Sequence, residues 1–408
     1  MDWETLAEKL KAMGMQLGGE QLPKTPQRKP VPIDQVVNGT FQETIFGPVF
    51  CLQETFPLDH VHGNIKLNAY NSISVLSEWA RCPDIDDSQL KNLVFLDTET
   101  TGLSGGTGTM AFMVGVGRYT DEGFVLAQYF LKNPSEEPAL LAGLSQFVDS
   151  LSAVVTYNGK SFDMPLLQTR YIMHRLSTPF VNIAHFDLLA LARRIWRERL
   201  ESCTLGNIEH QVLGVTRSNE EVPGYLVPEI YATYLRTGDA RPIQGIFYHN
   251  AIDILSLAAL FVHATQILEL PTSTKTQNGI DIASIARLFQ AMGKTDIASA
   301  LYAESTQHDL PASLFARTLM DQAGIHKKQG NFDDAIVFWQ KAVAFDRLDA
   351  CEELAKYEEH RQRDYLKAMD WVLKAFSLSE KLNETERYSW HQRLVYRQER
   401  LKRKIDHC

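Results

Sequence analysis

A short apolar run that ends in two carboxylates is the most constraining feature of this sequence. Residues 93–96 are continuously apolar, which is typical of a buried strand, and Asp97 and Glu99 follow at alternate positions. Side chains two positions apart on a strand point to the same face, so we expect the two carboxylates to converge. Neighbouring like charges are costly unless a cation neutralises them. Oxygen ligands of this kind predict bound Mg²⁺ or Mn²⁺.

The pattern that follows predicts a mixed α/β sheet. Two further strands are expected at 110–119 and 124–131, separated by a turn. The next elements are a helix at 137–151, a strand at 153–157, a helix at 163–175, a short strand at 183–186 and mostly helix to about residue 269. Three consecutive strands followed by helix, strand and helix is the order of a ribonuclease H-like mixed sheet flanked by helices.

The C-terminal third changes to an all-α pattern with an internal repeat. The segment 293–298 recurs at 330–335 and, more loosely, at 363–368. Equivalent alanines are 37 and 33 residues apart, which brackets the tetratricopeptide period of about 34 residues. The pattern favours tetratricopeptide-like helical repeats over a generic helical bundle.

Proline-rich and polar segments suggest a division of the chain into four parts. Residues 1–39 are expected to form a short helix and a proline-rich linker. The ribonuclease H-like domain is predicted at 40–269, a linker at 270–279 and the helical repeats at 280–408.

Two further acidic motifs accompany the first. Asp163 follows a predicted strand and loop and opens a helix, with Phe162 as a buried anchor; the alternative is that Asp163 only caps this helix. His249 and Asp253 are four residues apart in a predicted helix and therefore share one face. In this order and in these contexts, the motifs together predict one acidic site.

These motifs resemble the DEDD superfamily of 3′→5′ exonucleases and, more narrowly, the YprB-like ribonuclease H-like family. The resemblance is carried by the segments DTETTGLSGGTGT (97–109), YNGKSFD (157–163), HFDLL (185–189) and HNAIDILSL (249–257), within a region of about 40–265. It implies that Asp97 and Glu99 form the first motif, Asp163 the second and Asp253 the third. It also implies a DNA exonuclease that works in repair beside a helicase.

In this interpretation, Asp97, Glu99, Asp163 and Asp253 hold two divalent cations, Mg²⁺ or Mn²⁺, for phosphodiester hydrolysis. His249 is the predicted general base because the pKa of an unperturbed histidine lies near neutrality. Tyr248 is the alternative, since the two familiar subtypes place histidine five residues and tyrosine four residues before the last aspartate. Here these spacings are exchanged.

Other features are open to two interpretations each. The loop 102–109 either brings backbone close to a scissile strand or makes a tight turn, and Asp187 is expected to cap a helix. Glu209 and His210 are predicted to lie on the surface. Two basic groups could contact nucleic acid or simply be solvated: arginines 193, 194, 197 and 199 around Trp196, and the C-terminal run of 393, 397, 400 and 402–404.

Composition limits the class of protein. A net charge of −9 does not by itself indicate nucleic-acid binding, and five scattered cysteines predict reduced thiols in a cytoplasmic protein. No apolar run is expected to span a bilayer. The predicted substrate is nucleic acid, with DNA favoured by the resemblance alone. The rival functions are an RNA-processing exonuclease and a non-catalytic adaptor that recruits a helicase or another protein through the repeats.

Overall fold

The computed structural model describes residues 29–68, 70–102, 108–218, 222–271 and 278–407. The predicted N-terminal helix, most of the proline-rich linker, the centre of the glycine-rich loop and most of the linker before the repeats lie outside these residues.

Within the described residues, seven strands form one mixed sheet and two short strands form a separate hairpin. The strands are β1 (Thr40–Thr44), β2 (Gly47–Phe56), β3 (Val61–His62), β4 (Ile65–Lys66), β5 (Leu93–Thr100), β6 (Ala111–Tyr119), β7 (Phe124–Phe130), β8 (Ala153–Thr156) and β9 (Ala184–Asp187). Their order across the main sheet is β1-β2-β7-β6-β5-β8-β9, and β3 pairs with β4.

The sheet confirms the predicted ribonuclease H-like mixed architecture. Strands β5, β8 and β9 run parallel to one another, whereas β6 and β7 pair antiparallel beside β5. The antiparallel hairpin β1–β2 continues the sheet beyond β7. The carboxyl ends of these three parallel strands therefore lie at the same edge of the sheet. Asp97 and Glu99 of β5 lie at this edge.

Helices cover both faces of this sheet and form most of the described C-terminal region. They are α1 (Ser74–Ala80), α2 (Glu137–Phe147), α3 (Asp163–Met173), α4 (Leu188–Trp196), α5 (Leu205–Ile208), α6 (Val227–Thr237), α7 (Gln244–Glu269), α8 (Gly279–Ala291), α9 (Thr295–Ser305), α10 (Ala312–Lys328), α11 (Phe332–Val343), α12 (Leu348–Tyr357), α13 (Tyr365–Ser379) and α14 (Glu384–Asp406). Short 3₁₀ and π turns join several of them.

Alternation along β5 divides the apolar core into two clusters, one on each face of the sheet. Leu93 and Phe95 belong to the cluster that contains α7, and Val94 and Leu96 to the cluster that contains α2 and α3. Phe95 meets Phe261 of α7 edge to face, with ring centroids 5.5 Å apart. Asp97 and Glu99 continue the phase of Phe95, so the strand directs both carboxylates toward α7.

Helix α7 is the only described helix apolar and long enough to cross a membrane by length and composition, over residues Arg241–Glu269. Within its most apolar window, however, 72% of the helix is buried inside the protein. The helix is apolar on nearly all sides because it lies between the sheet and other helices, which is the pattern of a core helix.

The C-terminal region is all-helical as predicted, and the sequence repeat corresponds to a structural one. Ala298, Ala335 and Ala368 are completely buried at equivalent places in α9, α11 and α13. The turns before these helices contain Gly293 at φ +80° and Gly330 at φ +81°, and Arg363 takes the same left-handed region in the third turn. The assignment of these helices to the tetratricopeptide type, and the four-part division of the chain, stay predictions.

The first helices of this region share an apolar core with the ribonuclease H-like sheet. Ile282 and Phe289 of α8 belong to the same buried cluster as Phe95 and helix α7. Arg199, which follows α4, also forms an ion pair at 2.8 Å with buried Asp281 of α8. The two regions are therefore joined by a continuous packed interface.

This interface predicts that the two regions unfold together. Phe289→Ala should lower the free energy of unfolding by about 3–5 kcal/mol, because it leaves a cavity in the shared core. Calorimetry should show one transition shifted as a whole. Leu366→Ala is the control, since Leu366 is 66% exposed and should cost well under 1 kcal/mol. Two transitions, of which the variant shifts only one, would contradict the shared core.

Candidate active site

Strand β5 presents its two carboxylates where its pairing with β6 becomes irregular. Asp97 lies opposite Gly115 and Glu99 opposite Met113, and a bulge follows between Glu99 and Thr100. Thr98 lies between the two acids and therefore points to the other face of the sheet, where α3 begins. Side chains at the end of β5 therefore point toward helices on both faces of the sheet.

Asp163 reaches the strand end from the first residue of α3. Its carboxylate accepts a hydrogen bond from Thr98 Oγ1 at 2.5 Å, and the structure shows no side-chain cap at the start of this helix. The preceding loop is held by Asp187, which accepts from the backbone N–H groups of Asn158 and Lys160 and caps α4 through Leu189. Asp187 is a helix cap, as predicted.

The predicted role of Phe162 is wrong. Its side chain is 53% exposed rather than a buried anchor. The neighbouring Asp163 and Met164 turn inward at the start of α3, which leaves Phe162 on the solvent side. Backbone hydrogen bonds to Asp187 hold the loop instead.

A buried amide chain, which the sequence motifs did not indicate, orients Asp97. Asn250 of α7 donates to Asp97 Oδ2 at 3.0 Å and accepts from Gln128 Nε2 at 3.0 Å. Asp97, Gly115 and Gln128 lie side by side on β5, β6 and β7. Gly115 makes room for the amide, because a Cβ at this position would lie 2.1 Å from Asn250 Oδ1.

Helix α7 brings His249 and Asp253 to the same place, as their spacing predicts. His249 Nε2 lies 3.5 Å from Asp253 Oδ2 and 4.0 Å from Glu99 Oε1. Tyr248 points elsewhere, and its hydroxyl accepts from the backbone N–H of Ser218 at 2.9 Å. Of the two residues considered as general base, His249 is therefore the one that lies among the acids.

A second feature that the motifs did not indicate is Arg217, which pairs with Glu209. The guanidinium binds both carboxylate oxygens of Glu209, at 2.6 and 2.7 Å, and also donates to Asp253 and to His249 Nδ1. Glu209 was predicted on the surface, but it is only 1% exposed because this pairing takes it inside. His210 is exposed, as predicted.

The crowding of acids opposes their ionisation. Burial, together with repulsion from the other three carboxylates, raises the pKa of Asp97 well above its usual range. Burial and the charges of Asp253 and Asp163 raise the pKa of Glu99 to about 8. Burial raises the pKa of Asp163 to about 6 and also raises that of Asp253, although Arg217 opposes the latter shift. One arginine does not balance four crowded carboxylates.

These residues fit hard divalent cations. Carboxylate oxygens and one imidazole nitrogen from Glu99, His249 and Asp253 all lie within 4.8 Å of one another. Asp97 and Asp163 are close enough for their charges to act on the same centre, and each is oriented by a hydrogen bond to one carboxylate oxygen. Buried oxygen donors with excess negative charge are the ligand set that Mg²⁺ and Mn²⁺ prefer.

Comparison with known proteins agrees with this fold. Residues 94–265 match a family model of the RNase H superfamily, RNase_H_2. The uncharacterized protein YprB of Bacillus subtilis (strain 168) is 32% identical over 370 residues, which are 88% of this chain and 87% of YprB. The chain belongs to the YprB family. Its RNase H-like domain indicates a nucleic-acid substrate, hydrolysis of that substrate and divalent metals as cofactors.

In this YprB-family protein, most of the C-terminal basic run is engaged in ion pairs, whereas in the first basic group only Trp196 and Arg199 are engaged in the structure. Trp196 is buried and stacks on His263, so it does not present a face to nucleic acid. Arg199 pairs with Asp281. In the C-terminal run, arginines 393, 397 and 400 and Lys404 form ion pairs with glutamates 352 and 359.

Gly115→Ala tests the amide chain. The added Cβ should displace Asn250 from Asp97 and lower the free energy of unfolding by about 1–3 kcal/mol, with loss of activity. Thermal denaturation and a nuclease assay measure both effects. The matched control is Gly324→Ala in α10, where a Cβ meets nothing within 4 Å and should stabilise the helix by about 0.5–1 kcal/mol. A fully active Gly115→Ala protein would show that Asp97 needs no support from Asn250.

Arg217→Met tests the buried ion pair. It leaves Glu209 charged and unpaired in the interior, so the free energy of unfolding should fall by about 3–5 kcal/mol in urea denaturation. The double variant Glu209→Leu with Arg217→Met removes both charges and should recover most of this loss. If the single variant were as stable as the wild type, the pair would not hold this part of the fold.

Proposed function

We propose that this protein is a metal-dependent exonuclease that removes nucleotides from 3′ ends, with DNA as the favoured polymer. The observation that carries the proposal is the meeting of four carboxylates, each buried or half-buried, and one histidine at the end of β5 in an RNase H-like sheet. The 3′→5′ direction rests on the resemblance of these motifs to the DEDD exonucleases.

A role in DNA repair rests on resemblance alone. The sequence resembles the bacterial protein known as mitomycin repair factor B, including its appended helical repeats, and that resemblance implies work beside a helicase in the cytoplasm. The residues of the site do not distinguish DNA from RNA, so an exoribonuclease of the same mechanism is the alternative that the assay below separates.

Asp97, Glu99, Asp163 and Asp253 would hold the cations in this mechanism. Bound divalent ions supply Lewis-acid chemistry, namely activation of the attacking water and neutralisation of charge on the leaving 3′ oxygen. The amide of Asn250 and the hydroxyl of Thr98 keep one oxygen of Asp97 and Asp163 engaged, so the carboxylates are oriented before substrate arrives.

His249 would take the proton from the attacking water, but Arg217 sets a condition on this role. An arginine only donates, so its contact with His249 Nδ1 at 3.1 Å puts the ring proton of neutral His249 on Nε2, which faces the acids. Nε2 can accept a proton only in the other neutral form of the ring, in which the ring proton is on Nδ1. Nδ1 can carry that proton only when Arg217 no longer donates a hydrogen bond to it. We therefore propose that Arg217 moves away from Nδ1 when the site is loaded.

Matched 5′-labelled DNA and RNA oligonucleotides test the proposal in Mg²⁺, Mn²⁺ or EDTA. The wild type should give a metal-dependent ladder that shortens from the 3′ end. His249→Asn should lower the rate by about 10²–10⁴-fold, the usual contribution of a general base. Asp97→Asn should abolish the ladder without lowering stability in the absence of metal, because it removes one of four repelling charges.

Tyr248→Phe is the matched control for His249→Asn. It removes only the hydroxyl that accepts from Ser218 and should keep the rate within a few fold of the wild type. If Tyr248→Phe were the inactive variant, the base assignment would be reversed. No ladder on either polymer from a folded protein would instead favour the adaptor function.

A further inference from the structure

A cavity of about 390 Å³ lies at the β9 edge of the sheet, near the candidate active site. Its charged and aromatic lining comes from α1, the loop before α3, β9 and α4, and consists of Trp79, Arg81, Lys160, His185, Asp187 and Arg193. We call it the basic cavity. None of these residues belongs to the acid cluster.

The cations of the basic cavity are not used by the fold. Arg81, Lys160 and Arg193 are exposed, and among the described residues none of the three has an ion-pair partner. Asp187 is the only acid in the lining, and its oxygens already accept three backbone N–H groups. His185 is neutral at physiological pH because burial lowers its pKa to about 4. The lining therefore has a net charge of +2 in a protein of net charge −9.

The basic cavity is connected to the acids by one short loop. Lys160 and Ser161 line it, and Asp163 enters the acid cluster two residues later. Strand β9, which contributes Asp187, is two strands away from β5 in the parallel part of the sheet. At about 4.8 Å per strand this separation is roughly 10 Å, which a few nucleotides of a single strand can span.

We propose that the basic cavity binds the phosphate backbone of a single nucleic-acid strand a few nucleotides from the 3′ end under cleavage. Its three cations, which have no ion-pair partner within the described part of the chain, are available for phosphate contacts, and half-buried Trp79 offers an aromatic face to a base. This inference rests on the proposed function and adds the strand's path. It also explains how an acidic protein holds a polyanion, since the positive charge is concentrated where the strand leaves the acids.

The test compares two triple variants of the full chain. The cavity variant carries Arg81→Gln, Lys160→Gln and Arg193→Gln. The control variant carries Arg236→Gln, Lys328→Gln and Lys374→Gln, which are exposed cations elsewhere and give the same change in net charge. Binding of a labelled 12-nucleotide strand, DNA or RNA, is measured by fluorescence anisotropy in EDTA at several salt concentrations. Hydrolysis is measured on the same strand and on a dinucleotide.

The cavity variant should bind the 12-mer at least tenfold more weakly. The slope of log K against the logarithm of the salt concentration should fall in magnitude by about 2, because each of the three lost phosphate contacts contributes about 0.7. KM for the 12-mer should rise while kcat changes less than twofold, and kcat/KM for the dinucleotide should stay unchanged because it does not reach the cavity. A loss on DNA only or on RNA only would identify the polymer.

Two results would overturn the assignment: a cavity variant that binds with the wild-type affinity and salt slope, or a control variant that loses as much as the cavity variant. If the wild type hydrolyses neither substrate, the proposed function fails, and the anisotropy comparison still decides whether this cavity binds nucleic acid.

Discussion

The packing of helix α7 across the sheet is the constraint on which the site depends. Its buried face meets β5 through Phe261 and Phe95, and the same helix carries His249, Asn250 and Asp253 at its N-terminal end. Apolar packing along α7 thus fixes the position of the helix along β5 and its rotation about its own axis. These two quantities determine where the polar side chains of α7 meet the strand. The acids are held near one another because the core beneath them admits little adjustment.

This packing forces together charges that would otherwise separate. The protein offsets part of the cost with hydrogen bonds from Asn250 and Thr98 and with the guanidinium of Arg217. Arg217 is itself balanced by Glu209, so no isolated charge is created. What remains is a surplus of negative charge that protons or metal cations from solution can neutralise. Metal affinity therefore follows from the rigidity of the fold as well as from the identity of the ligands.

Much of this site could be predicted from short-range spacing. The two-residue period of a strand places Asp97 with Glu99, and the four-residue spacing of a helix places His249 with Asp253. The supporting residues could not be found in this way. Asn250 is adjacent to His249 and has no motif of its own, and Arg217 meets Asp253 only because the chain folds back after a π turn.

The errors have the same origin. Polarity predicts that charged Glu209 lies on the surface and that apolar Phe162 lies in the interior. Each residue takes the opposite position because of a local feature. An ion pair with Arg217, eight residues later, takes Glu209 into the interior, and the inward turn of Asp163 and Met164 at the start of α3 leaves Phe162 on the solvent side. The mixed architecture of the sheet was predictable because it follows from the succession of strands and helices along the chain rather than from any single side chain.

The ion pairs that join α4 to the C-terminal helices have a mechanical consequence. Glu198, just after α4, is bound by Arg287 of α8 and Arg317 of α10, beside the shared apolar core. The helical repeats are therefore a rigid arm and not a tethered module. A protein bound to that arm would be presented to the acids at a fixed distance and angle, so its effective concentration there would be set by geometry and not by the length of a linker.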